Sequence, residues 1–221
     1  MSGTAVLIVA AGAGKRFGQM KQFVYLRGKP VLEWTLEKFE SHDEVGSIIL
    51  VIPDEQDRKH YQMRYRKIVD VVRGGEERQD SVWQGFRLLD HARTELVLVH
   101  DGARPLVDGA LISRVIAAAR ATGAAVPVLP LEDTAKEVEE GRVVRTVDRL
   151  RVLRAQTPQG FLYPVLKKAM DGARRERFYG TDEAMLVERA GLPVATVEGS
   201  PVNIKITTPL DLKIAEALLD A

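Results

Sequence analysis

Three stretches of this chain, residues 5–9, 47–53 and 95–99, are apolar at almost every position rather than at every second one. A strand with one face in water alternates, whereas a strand covered on both faces reads as a continuous apolar run. Residues 68–73 form a further strand, and 123–129 a fifth. Between them lie segments of helical spacing. Leu32, Thr35, Leu36 and Phe39 share a face after Pro30, as do Val82, Phe86 and Leu89. So do Leu111, Val115 and Ala118 in a helix that Asp108 caps and that runs to Ala121. Residues 54–67 are polar and predict an exposed helix. Strand, helix, strand, helix in this order predicts a parallel sheet with helices on its faces.

A chain of 221 residues suits one domain, or one domain with an appendage. Its formal net charge of +1 sets up no global field toward nucleic acid or membrane, so any basic site must be local. There is no cysteine, which excludes disulfides, zinc thiolates and thiol catalysis. No apolar run is long enough to cross a bilayer and the N-terminus lacks a signal-peptide pattern, so the expected location is cytoplasmic.

The first strand runs into Ala10-Ala11-Gly12-Ala13-Gly14-Lys15-Arg16, with Lys21-Gln22 close behind. Glycines at a strand end let backbone N–H groups approach phosphate oxygens with no Cβ in the way. Arg16 and Lys21 add cations beside the same turn, a combination suited to a nucleoside triphosphate. Two commoner loops do not fit. A Walker loop needs Ser or Thr after Gly-Lys, and here Arg16 follows. A dinucleotide fingerprint needs a third glycine where this chain has Phe17, which disfavours a dinucleotide-dependent oxidoreductase. A plain strand-to-helix turn is the competing reading of the glycines alone.

Further candidates lie at the ends of later strands. Gly74-Gly75-Glu76-Glu77-Arg78-Gln79-Asp80-Ser81 opens a helix, with Asp80 or Ser81 as its expected N-cap. Backbone at Gly75 and the Ser81 hydroxyl are also placed to read a base edge. Asp101 ends a buried strand, where ligands bind in open α/β sheets. It is suited to hold a hydroxyl, a magnesium-bound water or the ion, or else to satisfy turn N–H groups. Arg104 is suited to bind phosphate or to pair with Asp101, and His100 is expected to be structural. Residues 132–154 alternate charged and β-branched side chains about Gly141, predicting a polar hairpin that packs on a partner subunit or lies on the surface. Residues 157–161 return the chain to the main sheet. A helix over 164–173 follows, then a basic loop over 174–180 and a helix with Thr181 as its expected N-cap. Residues 192–197 and 202–207 read as strands. Lys205, flanked by isoleucines in the second of them, is not a typical solvated charge and is a candidate ligand group. Thr208-Pro209-Leu210-Asp211 starts the last helix.

Taken together, these motifs resemble the 2-C-methyl-D-erythritol 4-phosphate cytidylyltransferase family over nearly the whole chain. The resemblance rests on Ala10-Ala11-Gly12-x-Gly14-x-Arg16 with Lys21-Gln22, Gly74-Gly75-x-x-Arg78-x-x-Ser81-Val82 and Asp101-x-Ala103-Arg104-Pro105. It continues in Asp133-Thr134-x-Lys136, Thr146-Val147-Asp148-Arg149 and Thr157-Pro158-Gln159, and closes in Thr181-Asp182-Glu183-Ala184 and Asn203-x-Lys205-x-Thr207. Two positions depart from the family pattern: Met20 stands where Pro is usual, in a loop one residue short, and Val202 stands where a polar residue is common.

The resemblance implies an α/β fold: a Rossmann-like, mostly parallel twisted sheet flanked by helices, forming one nucleotidyltransferase domain over 1–221. A projecting β-hairpin arm over 132–155 would serve dimerisation. It implies transfer of CMP from CTP to 2-C-methyl-D-erythritol 4-phosphate by direct in-line attack of the acceptor phosphate, with Mg2+ carried mainly on the CTP phosphates and no dedicated protein metal site. The catalytic residues it implies are Arg16, Lys21, Arg149 and Lys205. CTP would be held by Ala10, Ala11, Gly12, Ala13, Gly14, Gly75, Glu76 and Ser81. The acceptor would be held by Asp101, Arg104, Thr134, Arg149, Thr181 and Lys205, with Thr134 and Arg149 reaching a neighbouring subunit's site in a homodimer. Ribitol 5-phosphate is the alternative acceptor on the same motifs, and a non-catalytic nucleotide-binding module is the alternative of another class.

Overall fold

The computed structural model describes residues 3–12, 17–18, 20–54 and 57–219, with Lys21 described in its backbone only. In chain order, β1 (Thr4–Val9) leads to a 3-10 turn at Lys21–Phe23 and a small ribbon of β2 (Tyr25–Leu26) and β3 (Lys29–Pro30). Then follow α1 (Val31–Glu40), β4 (Ser47–Ile52), α2 (Arg58–Arg64), β5 (Ile68–Arg73) and α3 (Arg78–Phe86). Next come β6 (Leu96–Asp101), α4 (Gly109–Thr122) and β7 (Ala124–Pro130). The hairpin of β8 (Lys136–Glu139) and β9 (Arg142–Thr146) precedes β10 (Leu153–Ala155) and β11 (Gln159–Leu162). The chain continues through α5 (Tyr163–Glu176), α6 (Glu183–Arg189), β12 (Ala195–Glu198) and α7 (Pro209–Leu219).

The main sheet runs β10-β7-β11-β6-β1-β4-β5, with β12 also on β7. β1 pairs in parallel with β4 and β6, β4 with β5, and β7 with β12. β11 enters antiparallel between β6 and β7, and β10 pairs antiparallel further along β7. The unbroken apolar runs have the expected cause. In β1, Val6 and Ile8 point to the layer of α1 and α4, where Leu36, Phe39, Ile112 and Ile116 are buried. Leu7 points to the opposite layer, where Val82 and Phe86 of α3, Leu166 and Met170 of α5 and Leu186 of α6 pack. A third cluster joins Leu26, Val31, Leu106 and Ile206 to Ala215 of α7, with Phe17 and Ile204 packed against it.

Several sequence expectations need correction. The helix expected over 54–67 is reduced to α2, seven residues long. The basic segment after residue 173 is not loop at its start, since α5 runs on to Glu176 and ends with Arg177 in the left-handed region, φ 53°. Residues 202–207 form no strand. Asn203 and Ile204 close local turns onto Ser200 and Val202, and Ile206 bonds to Ala103. The N-cap of α3 is Glu77, whose N–H donates to the Asp80 carboxylate at 3.3 Å, so Ser81 sits within the helix. The N-cap of α6 is Asp182, which accepts from the Met185 N–H, rather than Thr181. The last helix starts as expected, with the Asp211 N–H donating to Thr208 Oγ1 and Asp211 accepting from the Thr207 and Thr208 N–H groups.

Candidate active site

The carboxyl ends of β1, β5 and β6 open into one cleft of about 310 Å³. Its walls are Val9, Ala10, Ala11, Gly12 and Gln22 on one side and Gly75, Glu76, Glu77, Arg78 and Ser81 on the other, over Asp101, Ala103 and Lys205. The two backbone walls are held against each other by geometry that admits almost no side chain. A Cβ on Gly74 would lie 2.2 Å from the Ala11 Cβ and 2.8 Å from Ser81 Oγ, and one on Gly75 would lie 2.4 Å from the Asp80 Cβ. Ala10 N–H donates to Val51 O at 2.7 Å and Gly74 N–H to Ile52 O at 2.9 Å, so both walls are tied to the end of β4, which lies between their strands. Ser81 Oγ accepts from the Gly75 N–H at 3.1 Å and donates to Glu77 O at 3.1 Å, tying the second wall to the first turn of α3. Buried Gln22 donates to Gly12 O at 3.1 Å and pins the first wall.

The floor is a charge network. Asp101 Oδ1 accepts from Arg78 Nε at 3.1 Å and Oδ2 from Lys205 Nζ at 2.6 Å, with Arg104 Nε 3.9 Å from Oδ2. Arg78 Nη1 donates to both oxygens of Glu183, at 2.8 and 2.9 Å. Three cations therefore face two carboxylates and one positive charge is left over. Burial by itself pushes the Asp101 carboxyl up, but Arg78, Lys205 and Arg104 outweigh it and hold it well below the usual carboxylate range. Burial raises the Glu183 carboxyl, and the Arg78 contact offsets part of that rise.

Beneath the floor a second chain of bonds fixes Asp101. Its N–H donates to Thr157 Oγ1 at 3.1 Å, and because His100 Nε2 faces a carbonyl and must carry the ring proton, the Thr157 hydroxyl donates to His100 Nδ1 at 3.1 Å. His100 Nε2 donates to Arg104 O at 3.3 Å. Burial lowers the His100 pKa to about 3 and keeps the ring neutral, the structural part expected of it. Asn203 Nδ2 donates to Thr157 O at 2.8 Å, and Arg104 Nη1 to Asn203 O at 2.7 Å. These bonds seat the 203–205 segment, and with it Lys205, against β6.

Of the residues the sequence singles out, Ala10, Ala11, Gly12, Gly75, Glu76, Ser81, Asp101 and Lys205 meet in the cleft, and Arg104 lies buried under it. Ala13, Gly14 and Arg16 lie outside the described residues, as does the Lys21 side chain. Thr134 and Arg149 are exposed, on the arm and the turn that follows it, and line no part of this chain's own cleft. Arg149 Nη1 donates to Glu132 O at 2.7 Å. Thr181 is exposed, with Oγ1 3.7 Å from Met185 Sδ, and does not line the cleft either. Arg78, Glu183 and Gln22 all stand inside quoted motifs, yet sequence reasoning gave none of them a role. No spacing rule links residues 105 positions apart. Among the described residues there is no group of three or more His, Cys, Asp or Glu suited to hold a metal ion, and no helix is long and apolar enough to cross a membrane.

A mostly parallel sheet whose carboxyl ends carry a glycine-lined backbone cradle, over a floor where Arg78, Arg104 and Lys205 converge, defines an α/β protein with a cleft suited to a phosphate-bearing ligand. A family model described as 2-C-methyl-D-erythritol 4-phosphate cytidylyltransferase matches residues 4–221. The enzyme of that name from Bacillus velezensis is 45% identical over 224 residues, covering 98% of this chain and 95% of the relative. The one from Bacillus mycoides is 43% identical, covering 97% and 96%. The crystal structure of 2-C-methyl-D-erythritol 4-phosphate cytidylyltransferase from Thermus thermophilus superimposes with a TM-score of 0.83 at 39% identity, over the full length of both chains. The bifunctional IspDF of Campylobacter jejuni matches 95% of this chain with 53% of its own, at a TM-score of 0.80 and 25% identity. This chain belongs to the 2-C-methyl-D-erythritol 4-phosphate cytidylyltransferase family and is a cytidylyltransferase.

Proposed function

We propose that the protein carries out the reaction its family is named for, transferring CMP from CTP to 2-C-methyl-D-erythritol 4-phosphate and feeding isoprenoid synthesis. An oxygen of the acceptor phosphate attacks the α-phosphorus of CTP in line. The new bond joins that oxygen to the α-phosphorus, the bond from the α-phosphorus to the bridging oxygen of the β-phosphate breaks, and pyrophosphate leaves with the electron pair. No protein nucleophile is needed, so the residues act by positioning and by charge. The observation that carries this reading is the Lys205–Asp101–Arg78 network directly below the Gly12 and Gly75 walls.

In this reading the backbone of residues 10–14 takes the phosphates and ribose, and Gly75, Glu76 and Ser81 take cytosine. Arg16 and Lys21 stabilise the charge that grows on the triphosphate. Lys205, with Asp101 and Arg104, receives the acceptor, and Thr181 adds a contact to its phosphate. Magnesium keeps most of its water and prefers phosphate oxygens, which fits a floor whose carboxylates, Asp101 and Glu183, are already committed to cations. Held on the triphosphate, it supplies charge neutralisation. We assign a second copy of the chain as the partner of the arm, bringing Thr134 and Arg149 to the neighbouring cleft. Val138, Val143, Val144 and Leu150 are 55, 61, 53 and 85% exposed in one copy, which supports that assignment. The substrates also suit the cytoplasm, where CTP is made. The test is pyrophosphate release with CTP and magnesium. Release with 2-C-methyl-D-erythritol 4-phosphate and not with ribitol 5-phosphate is the expected result. Release with ribitol 5-phosphate alone, or with neither, overturns it.

A further inference from the structure

We infer that Glu183 is a positioning residue for the transfer, acting through Arg78 and Asp101 on the ammonium of Lys205. This rests on the reading of Lys205 as an acceptor contact. Glu183 is 1% exposed and is absent from the cleft wall, so it touches no substrate. Both its oxygens accept from one nitrogen, Arg78 Nη1. A guanidinium is planar, so fixing Nη1 fixes the direction in which Nε points. Arg78 Nε points at Asp101 Oδ1, and this leaves Oδ2 to Lys205.

Glu183 is itself firmly placed. It is the first residue of α6, and buried Gln159 of β11 grips the same turn, donating to Asp182 Oδ2 at 2.7 Å and accepting from the Ala184 N–H at 3.0 Å. The relay therefore runs from the sheet through α6 and α3 to β6, and ends at the loop that carries Lys205. A buried carboxylate is a costly way to stabilise a fold, and an apolar residue of similar volume often does as well. What the carboxylate does here is occupy one edge of Arg78. Without it, Arg78 is free to turn side-on to Asp101, take both carboxylate oxygens in the bidentate mode guanidinium prefers, and displace Lys205.

The test is a double-mutant cycle of Glu183→Gln and Lys205→Met, read as kcat and KM for each substrate. The expected result for Glu183→Gln is a loss of about ten- to a hundredfold in kcat/KM for the acceptor, the cost of moving one group by about an ångström. KM for CTP should be little changed. In the Lys205→Met background the same substitution should add almost nothing. A loss of equal size in both backgrounds, or kcat/KM within about twofold of the parent enzyme, overturns the inference in favour of a structural part. If Glu183→Gln does not fold, Glu183→Asp keeps the charge, draws it back by one methylene and is judged by the same cycle. The parent enzyme is the control for the functional reading: if it releases no pyrophosphate with the acceptor, that reading fails before the cycle begins, whereas normal parent turnover with an additive cycle is a failure of the relay alone.

Discussion

At the scale of single residues, the site depends on polar groups that would be liabilities if left unpaired. Thr157 accepts from the Asp101 N–H and donates to His100, so Thr157→Val strands two buried groups at once. The expected cost is about 2 kcal/mol or more, read from a denaturant melt. His100 also sets a pH dependence. Burial lowers its folded pKa to about 3 against about 6.5 unfolded, so between those values the unfolded chain binds a proton that the folded chain does not. Stability should therefore fall as pH drops below about 6.5, by up to about 1.4 kcal/mol per unit. His100→Gln should flatten that slope in unfolding measurements at pH 7.5 and 5.5, and an unchanged slope would assign it elsewhere. Lys205→Met should lower kcat/KM for the acceptor by about a hundredfold while the protein still melts cooperatively. Asp101 was legible from its place at the end of a buried strand, Arg104 as a phosphate ligand or partner of Asp101, and Lys205 from the isoleucines that flank it. Arg78 and Glu183 were not, because their meaning lies in a contact between α3 and α6 that no local pattern encodes.

At the scale of elements, the cleft depends on how closely two chain segments cross. Gly75 leaves no room for a methyl beside Asp80, so Gly75→Ala must shift the start of α3. The expected effect is a rise in KM for CTP of about tenfold, with kcat for bound substrates less affected. Equal KM values would show that the first turn of α3 can yield without cost. The central strands were readable because two-sided burial removes all alternation, as in β1, β4 and β6. The far part of the sheet was less so. β11 is only four residues long and runs antiparallel, and β12 is half exposed, so neither has a strong pattern of its own. Residues 202–207 alternate like a strand, yet their N–H groups close local turns and reach Ala103 instead of a ladder. There tertiary bonding to Arg104 and Gln156 overrides the local pattern.

At the scale of the whole molecule, the arm poses the question of which cleft its residues serve. If Arg149 acts in a partner's cleft, mixing Arg149→Ala chains with Lys205→Met chains and letting subunits exchange should restore about a quarter of the parent activity, since half the dimers are mixed and each has one intact site. If both act within one chain, mixing restores nothing. The hairpin itself was legible from its alternation around Gly141, which has φ 77° and open space about it, but a polar hairpin reads alike whether it meets solvent or a partner. The floor of the cleft carries one last consequence, for the order in which a ribosome delivers it. The two backbone walls and Asp101 emerge in the first half of the chain, while the Lys205 ammonium that pairs with Asp101 follows 104 residues later, on a segment held by α7 and by Thr157 just before β11. Until that segment arrives, Asp101 has Arg78 and Arg104 beside it but neither Lys205 nor the Glu183 that aims Arg78. The arrangement of the floor is therefore complete only once the chain has been made past residue 205, after every other part of the cleft.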